Sequence, residues 1–96
     1  MALIRIPQRQ PVRPPHITKL AFKQRMTAAE RIAIRTRAAT DPIVADFLDL
    51  VNDATFIDLN HEENAMGLAY LEQQGDLDEG RANEILTSPI QPIERV

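Results

Sequence analysis

The pattern of apolar and polar residues predicts amphipathic helices through most of the chain. The clearest repeat follows Asp41 and Pro42, a typical helix cap and first helical residue. Its apolar positions recur every three or four residues and predict a wide apolar face made of Ile43, Val44, Phe47, Leu48, Leu50 and Val51. Three acids on the opposite side of this helix form what we call the acidic face: Asp46, Asp49 and Asp53. The segment is therefore predicted to pack on one side and to meet solvent on the other.

A capping box predicts a helix before this one. Thr27 can accept a hydrogen bond from the amide of Glu30, and the Glu30 side chain can accept one from the amide of Thr27. The helix should run to about Ala39. Its predicted core face consists of Ala28, Ala29, Ile32, Ala33 and Thr36.

Two further helices are predicted in the C-terminal half. Asn60 and Glu63 form a second possible capping box, and Gly75 is the expected left-handed stop of that helix. Gly67 in its interior weakens the helix, which indicates either the close approach of another backbone or a glycine that is simply tolerated. Asp78 is the predicted cap of a short last helix. The fold class is therefore all-α, a small bundle of three to four short helices.

Proline marks both ends of the chain as extended. Each proline removes a backbone donor and restricts the residue before it, and four such residues fall near the N-terminus: Pro7, Pro11, Pro14 and Pro15. Residues 16–23 alternate in part, with Leu20 and Phe22 on one side, and predict either a short strand-like connector or the first docked part of the arm. The predicted organisation is a basic arm and connector in residues 1–26, a helical domain in residues 27–88 and an extended tail in residues 89–96.

Charge divides the chain more sharply than the net value of −3 suggests. Residues 1–38 hold nine Lys or Arg and one acid, whereas residues 39–96 hold two Arg and thirteen acids. Such asymmetry is typical of an interaction tail. The basic arm could bind the acidic body of its own chain or of a neighbouring copy, or both halves could simply be solvated.

The composition offers little for catalysis. The chain has no cysteine and only two histidines, which argues against a disulfide, a structural zinc site and a thiol nucleophile. His61 is followed by two acids, but adjacent helical positions diverge by about 100° and do not converge on one ion. The acidic half argues against binding to nucleic acid. We therefore expect no enzyme, cofactor, metal or small-molecule substrate, and no signal peptide or membrane span.

A set of short motifs resembles a group of small uncharacterised proteins encoded among the tail and tail-fibre genes of bacteriophages and prophages. The resemblance covers residues 17–90. Its motifs are Ile17-Thr18-Lys19-Leu20-Ala21-Phe22, Arg25-Met26-Thr27, Glu30-Arg31-Ile32-Ala33-Ile34, Phe56-Ile57-Asp58-Leu59, Gly67-Leu68, Leu71-Glu72, Gly75, Gly80-Arg81-Ala82 and Glu84-Ile85-Leu86. The resemblance implies a place in a virion tail, or a role in assembling one, with no known chemistry.

These observations favour a minor structural or adaptor protein of a phage tail, baseplate or fibre attachment. Its expected partners are other virion proteins and copies of itself, first in the host cytoplasm and then in the particle. The residues expected to bind a neighbouring subunit are Arg5, Arg9, Arg13, Ile17, Leu20 and Phe22. Two alternatives stay open: a soluble inhibitor or regulator of a host protein that uses the acidic face, and a tail-assembly chaperone absent from the finished particle.

Overall fold

A computed structural model describes residues 14–96 of the chain. The described part is mostly helical, as the sequence predicts, with one small antiparallel sheet. Its elements, in chain order, are β1 (His16–Ile17), α1 (Lys19–Gln24), α2 (Ala28–Ala38), α3 (Pro42–Asp53), β2 (Ile57–Asp58), α4 (Glu62–Gln73), α5 (Arg81–Thr87) and a 3₁₀ turn (Pro92–Glu94).

The predicted starts of α2 and α3 are confirmed. The Glu30 amide donates to Thr27 Oγ1 at 3.1 Å, and the Thr27 amide donates to Glu30 Oε1 at 2.8 Å, which completes the capping box. Asp41 Oδ1 accepts from the Ile43 amide at 3.0 Å, with proline as the first residue of α3. Each cap satisfies amides that have no partner within the helix itself.

The start of α4 lies one residue later than predicted. The capping box of Asn60 and Glu63 is wrong, because His61 is the cap and its Nδ1 accepts from the Glu63 amide at 3.1 Å. The predicted stop is confirmed: Gly75 has φ of 88° and ends the helix. The following amide, of Asp76, then donates back to the carbonyl of Leu71 at 3.0 Å, the usual pattern of a glycine-terminated helix.

The cap of α5 comes from another helix. The prediction that Asp78 caps it is wrong, because Gly80, with φ of 88°, holds the cap position and has no side chain to offer. The carboxylate of Glu72 in α4 accepts from the amides of Gly80 at 2.7 Å and Ala82 at 3.3 Å. A tertiary contact therefore supplies what the local sequence lacks.

Of the two alternatives for residues 16–23, the strand-like connector is correct only for the first two residues, and the remaining residues form a docked helix. β1 pairs with β2, with Ile17 opposite Ile57, but Thr18 then caps α1 by accepting from the Ala21 amide at 3.0 Å. In that helix Phe22 is fully buried and Leu20 is 64% exposed, so the two side chains do not share a face. Residues 16–26 are thus part of the folded body, and the proposed boundary at residue 26 is too late.

The core is made of side chains from every helix. Its buried members include Ile17, Phe22, Met26, Ile34, Val44, Val51, Ile57, Leu68, Leu71, Leu77 and Ile85. The predicted core face of α2 is wrong, because Ile34 is its one buried residue and Ile32 is 66% exposed. The helix contacts the core through a narrower stripe than its apolar residues suggest.

The C-terminal segment is held against the N-terminal one. The Arg25 guanidinium donates to both carboxylate oxygens of Glu94, at 2.8 and 3.0 Å, and to the carbonyls of Ile85 and Ser88 at 2.7 and 3.0 Å. The amide of Thr18 also donates to the Glu94 carbonyl at 2.9 Å. The predicted extended tail in residues 89–96 is therefore a docked segment that contains a 3₁₀ turn.

A second ion pair joins α5 to the start of α2. Arg81 donates to both carboxylate oxygens of Glu30 at 2.8 Å and to the carbonyl of Arg25 at 3.0 Å. Hydrogen bonds from Arg81 lower the pKa of Glu30, and those from Arg25 lower the pKa of Glu94. Both carboxylates are thereby favoured in their charged form.

Candidate protein-binding groove

An open groove lies between α3 and α4, and its floor depends on one glycine. A Cβ atom added at Gly67 would lie 2.4 Å from two ring carbons of Phe47, so the ring packs directly against the backbone of α4. The predicted close approach of another backbone at this glycine is therefore wrong, because the group that approaches is the Phe47 side chain. Phe47 is thus held between the helices and forms the floor of the groove.

The side chains that form the walls of the groove are apolar and exposed to solvent. Ile43 and Leu50 of α3 are 59% and 49% exposed, and Met66 of α4 is 62% exposed. The cavity that they line has a volume of about 510 Å³ and is open to solvent. Clustered apolar side chains at such a surface are typical of sites that bind another protein or a ligand.

Two acids stand at the rim of the groove. Asp46 projects from α3 and Glu63 from α4, and both are exposed. An apolar floor with acidic side chains at its edge suits a segment that carries apolar side chains and positive charge together.

The Tyr70 side chain is fixed by a hydrogen bond where it lines the groove. Its hydroxyl donates to Asp41 Oδ2 at 2.6 Å, which ties α4 to the cap of α3. This hydrogen bond raises the pKa of Tyr70 and lowers the pKa of Asp41. The Tyr70 side chain at the edge of the groove is therefore held in place without a bound partner.

A second cavity continues the groove towards the start of the described chain. It has a volume of about 440 Å³ and shares Leu50 and Glu63 with the first. His16 stacks on Phe56 in its wall, with ring centroids 4.2 Å apart, and His16 Nε2 lies 3.7 Å from Asp58 Oδ2. The two cavities together form a surface depression that leads from β1 to the middle of α3 and α4.

The structure separates the six residues expected to bind a neighbouring subunit. Arg5, Arg9 and Arg13 lie outside the described residues. Ile17 and Phe22 are fully buried in the chain's own core, so the expectation that they contact a partner is wrong. Their alternating apolar pattern reflects a short strand and a helix that pack internally.

Leu20 remains a candidate contact, because its side chain projects from α1 into solvent. The lysines on either side of it contact the end of α3: Lys19 Nζ donates to the carbonyl of Asn52 at 2.6 Å, and Lys23 Nζ donates to Asn52 Oδ1 at 2.5 Å. Positive charge at the carboxyl end of α3 is favourable for its dipole.

The three residues of the acidic face are all exposed on α3, as predicted. Asp46 lines the groove, whereas Asp49 and Asp53 do not. Within residues 14–96, no group of three or more His, Asp and Glu side chains is arranged to hold a metal ion. No helix in that range has the length and apolarity to cross a bilayer.

Sequence reasoning missed the groove because it assigned Ile43 and Leu50 to the core. The signal was present in the width of the apolar face of α3, whose six apolar positions exceed what one neighbouring helix covers. Met66 carried no such signal, because the apolar positions of α4 are less regular.

Comparison of the chain with protein-family models, with curated proteins and with solved structures finds no match.

Proposed function

We propose that the chain is a protein-binding structural or adaptor module that holds an apolar segment of a neighbouring protein in the groove between α3 and α4. The observation that carries this proposal is the exposure of Ile43, Leu50 and Met66 around one open cavity of about 510 Å³. Apolar side chains that remain exposed to solvent do not stabilise a small domain, so their clustering indicates a surface that binds another protein.

The free energy available from the groove indicates what else the partner must contact. Burying the exposed halves of three large apolar side chains contributes roughly 1 kcal/mol each, about half of the gain for full burial. Association costs several kcal/mol in lost translational and rotational freedom, so these side chains alone do not hold a partner. Contacts to the acidic rim at Asp46 and Glu63 are the nearest additional source.

The motif resemblance supports a place for this module in a bacteriophage virion. We propose a tail, baseplate or fibre attachment as its location, with several copies present and assembly beginning in the host cytoplasm. In this role the domain would join virion proteins through short extended segments, which let a small body contact a large surface.

Two matched substitutions test the proposal. Ile43→Glu places a charge in the groove, and Ile32→Glu places the same charge at an isoleucine on α2 that is equally exposed and outside the groove. The chain is quantified by mass spectrometry in particles purified from a phage whose genome carries each variant. We expect Ile43→Glu to be depleted at least tenfold relative to Ile32→Glu, with both variants equally helical by circular dichroism.

Two results would oppose the proposal. Equal incorporation of both variants would exclude the groove as the attachment site. Absence of the unmodified chain from finished particles would overturn the structural role and favour an assembly chaperone.

A further inference from the structure

We propose that the groove between α3 and α4 receives the N-terminal segment Leu3–Ile6 of a second copy of this chain. This inference rests on the proposed function, since it names the segment that the groove holds. Three independent observations support it: the chemistry of the segment, the charge of the two surfaces and the length of chain that precedes the described residues.

The segment has the side chains that the groove needs. Leu3, Ile4 and Ile6 are large and apolar, and Arg5 stands among them. An extended segment points alternate side chains to opposite sides, so Ile4 and Ile6 share one side and Arg5 faces the other. The two isoleucines can therefore enter the groove, while Arg5 faces the solvent on the outer side of the segment, where the nearby acidic rim still attracts its charge.

The charges of the two surfaces are opposite. Residues 1–13 contain Arg5, Arg9 and Arg13 and no acid. The rim of the groove carries Asp46 and Glu63, with further acids along α3. Attraction between exposed charges of this kind weakens as salt screens them over a Debye length of about 8 Å at physiological ionic strength.

The place where the described chain begins favours a second copy over the chain's own groove. The backbone is tied to the body from Pro15 onward, since its carbonyl accepts from the Leu59 amide at 2.9 Å. The prolines at positions 7, 11, 14 and 15 give the preceding segment the composition of a semi-rigid spacer.

The length of the spacer allows the segment to reach a neighbouring copy. The eight residues 7–14, between the segment and the anchored Pro15, span about 25 Å at the polyproline II rise of about 3.1 Å per residue. A folded body of the described size has a diameter of roughly 30 Å, from a radius of gyration near 12 Å. An extended spacer of that length, anchored at the surface of one body, can bring Leu3–Ile6 to the groove of an adjacent copy.

A complementation experiment with full-length chains tests the inference. The first variant carries Leu3→Ser, Ile4→Ser and Ile6→Ser, so it keeps the groove and loses the apolar segment. The second carries Ile43→Glu, so it keeps the segment and loses the groove. Sedimentation equilibrium is measured for the unmodified chain, for each variant alone and for their mixture, at low and high salt.

The inference predicts that the unmodified chain associates with itself and that each variant alone is at least tenfold weaker in self-association. The two variants mixed should form a complex of one copy each, because one supplies the segment and the other the groove. High salt should weaken this complex. The variant Ile32→Glu should associate like the unmodified chain.

Two results would overturn the inference. An unmodified chain that is monomeric at all concentrations excludes a second copy as the source of the segment. Undiminished self-association of the triple serine variant excludes the segment itself. Either result is distinguishable from failure of the proposed function, because depletion of Ile43→Glu from particles would still show that the groove binds a different virion protein.

Discussion

Replacing Arg25 with methionine should cost more stability than any other single change of a charged residue in the described chain. Methionine keeps much of the length and apolar volume of the arginine side chain and removes its five donors. The change leaves the carboxylate of Glu94 without its cation and removes the donors to the carbonyls of Ile85 and Ser88. Both side chains of the ion pair are largely buried, so water replaces these contacts poorly.

The expected loss is about 3 kcal/mol, the lower end of the cost of removing one partner from a buried ion pair. A domain of this size has a free energy of unfolding of about 4 to 12 kcal/mol, so the loss is a large fraction of the total. For so small a domain it corresponds to a fall in the melting temperature of roughly 12 to 24 °C.

Urea unfolding followed by circular dichroism measures this change, with two controls. Arg35→Met removes an exposed arginine from α2 and should shift the free energy of unfolding by less than about 0.5 kcal/mol. Adding Glu94→Gln to Arg25→Met removes the unpaired charge and should restore part of the loss. If Arg25→Met and Arg35→Met are equally stable, the guanidinium does not hold the C-terminal segment in solution and the reasoning is refuted.

Three further predictions concern ionisation and packing. The pKa values of Glu30 and Glu94 are lowered in the folded state. The stability that these two carboxylates contribute should therefore be fully present above pH 4.5, and it should be lost as the pH falls through their folded pKa values. The hydrogen bond to Asp41 raises the pKa of Tyr70 above 10.0, so the ultraviolet titration of Tyr70 should move to lower pH in Asp41→Asn. The stability that this hydrogen bond contributes should be lost as the pH rises through the folded pKa of Tyr70. Gly67→Ala should lower the free energy of unfolding by up to about 2 kcal/mol, measured by urea unfolding, because an overpacking cost of about 1 to 3 kcal/mol is only partly offset by the gain of about 1 kcal/mol in helix propensity.

Each of these predictions has a control within the chain. The acid dependence should shrink in Glu94→Gln, and an unchanged profile would contradict the assigned pKa shift. Tyr70 is the chain's single tyrosine, so the absorbance change belongs to it, and a titration identical to that of the urea-unfolded chain would exclude the hydrogen bond. Phe47→Leu should rescue Gly67→Ala, since the smaller side chain relieves the contact, whereas a stabilising Gly67→Ala would show that the ring moves without cost.

Local capping rules explain which helices were predictable. The starts of α2 and α3 follow from Thr27 and Asp41, because each N-cap side chain accepts a hydrogen bond from an amide two or three positions further along the chain. The start of α5 was not predictable in this way, because Glu72 supplies its cap from another helix. The same limit applies to Arg25 and Glu94, which lie 69 positions apart and leave no periodic signal in the sequence.

The candidate groove was only half predictable. Hydrophobic periodicity predicted α3 correctly, but it does not distinguish an apolar residue that packs internally from one that is exposed for a partner. Phe22 and Ile43 show the two errors: the first was assigned to a partner and is fully buried, and the second was assigned to the core and is mostly exposed. Whether each side chain is buried depends on which helices and strands pack against it in the fold, and the local sequence pattern does not contain that information.

Methyl NMR of the full-length chain labelled at methionine tests the central claim most directly. The chain has three methionines, at positions 1, 26 and 66. Met66 lines the groove, and Met26 is buried in the core and serves as an internal reference. We predict that the Met66 methyl resonance shifts as protein concentration rises while that of Met26 does not, and that the triple serine variant abolishes the shift. A Met66 resonance that stays constant while the chain associates would contradict a docking site between α3 and α4.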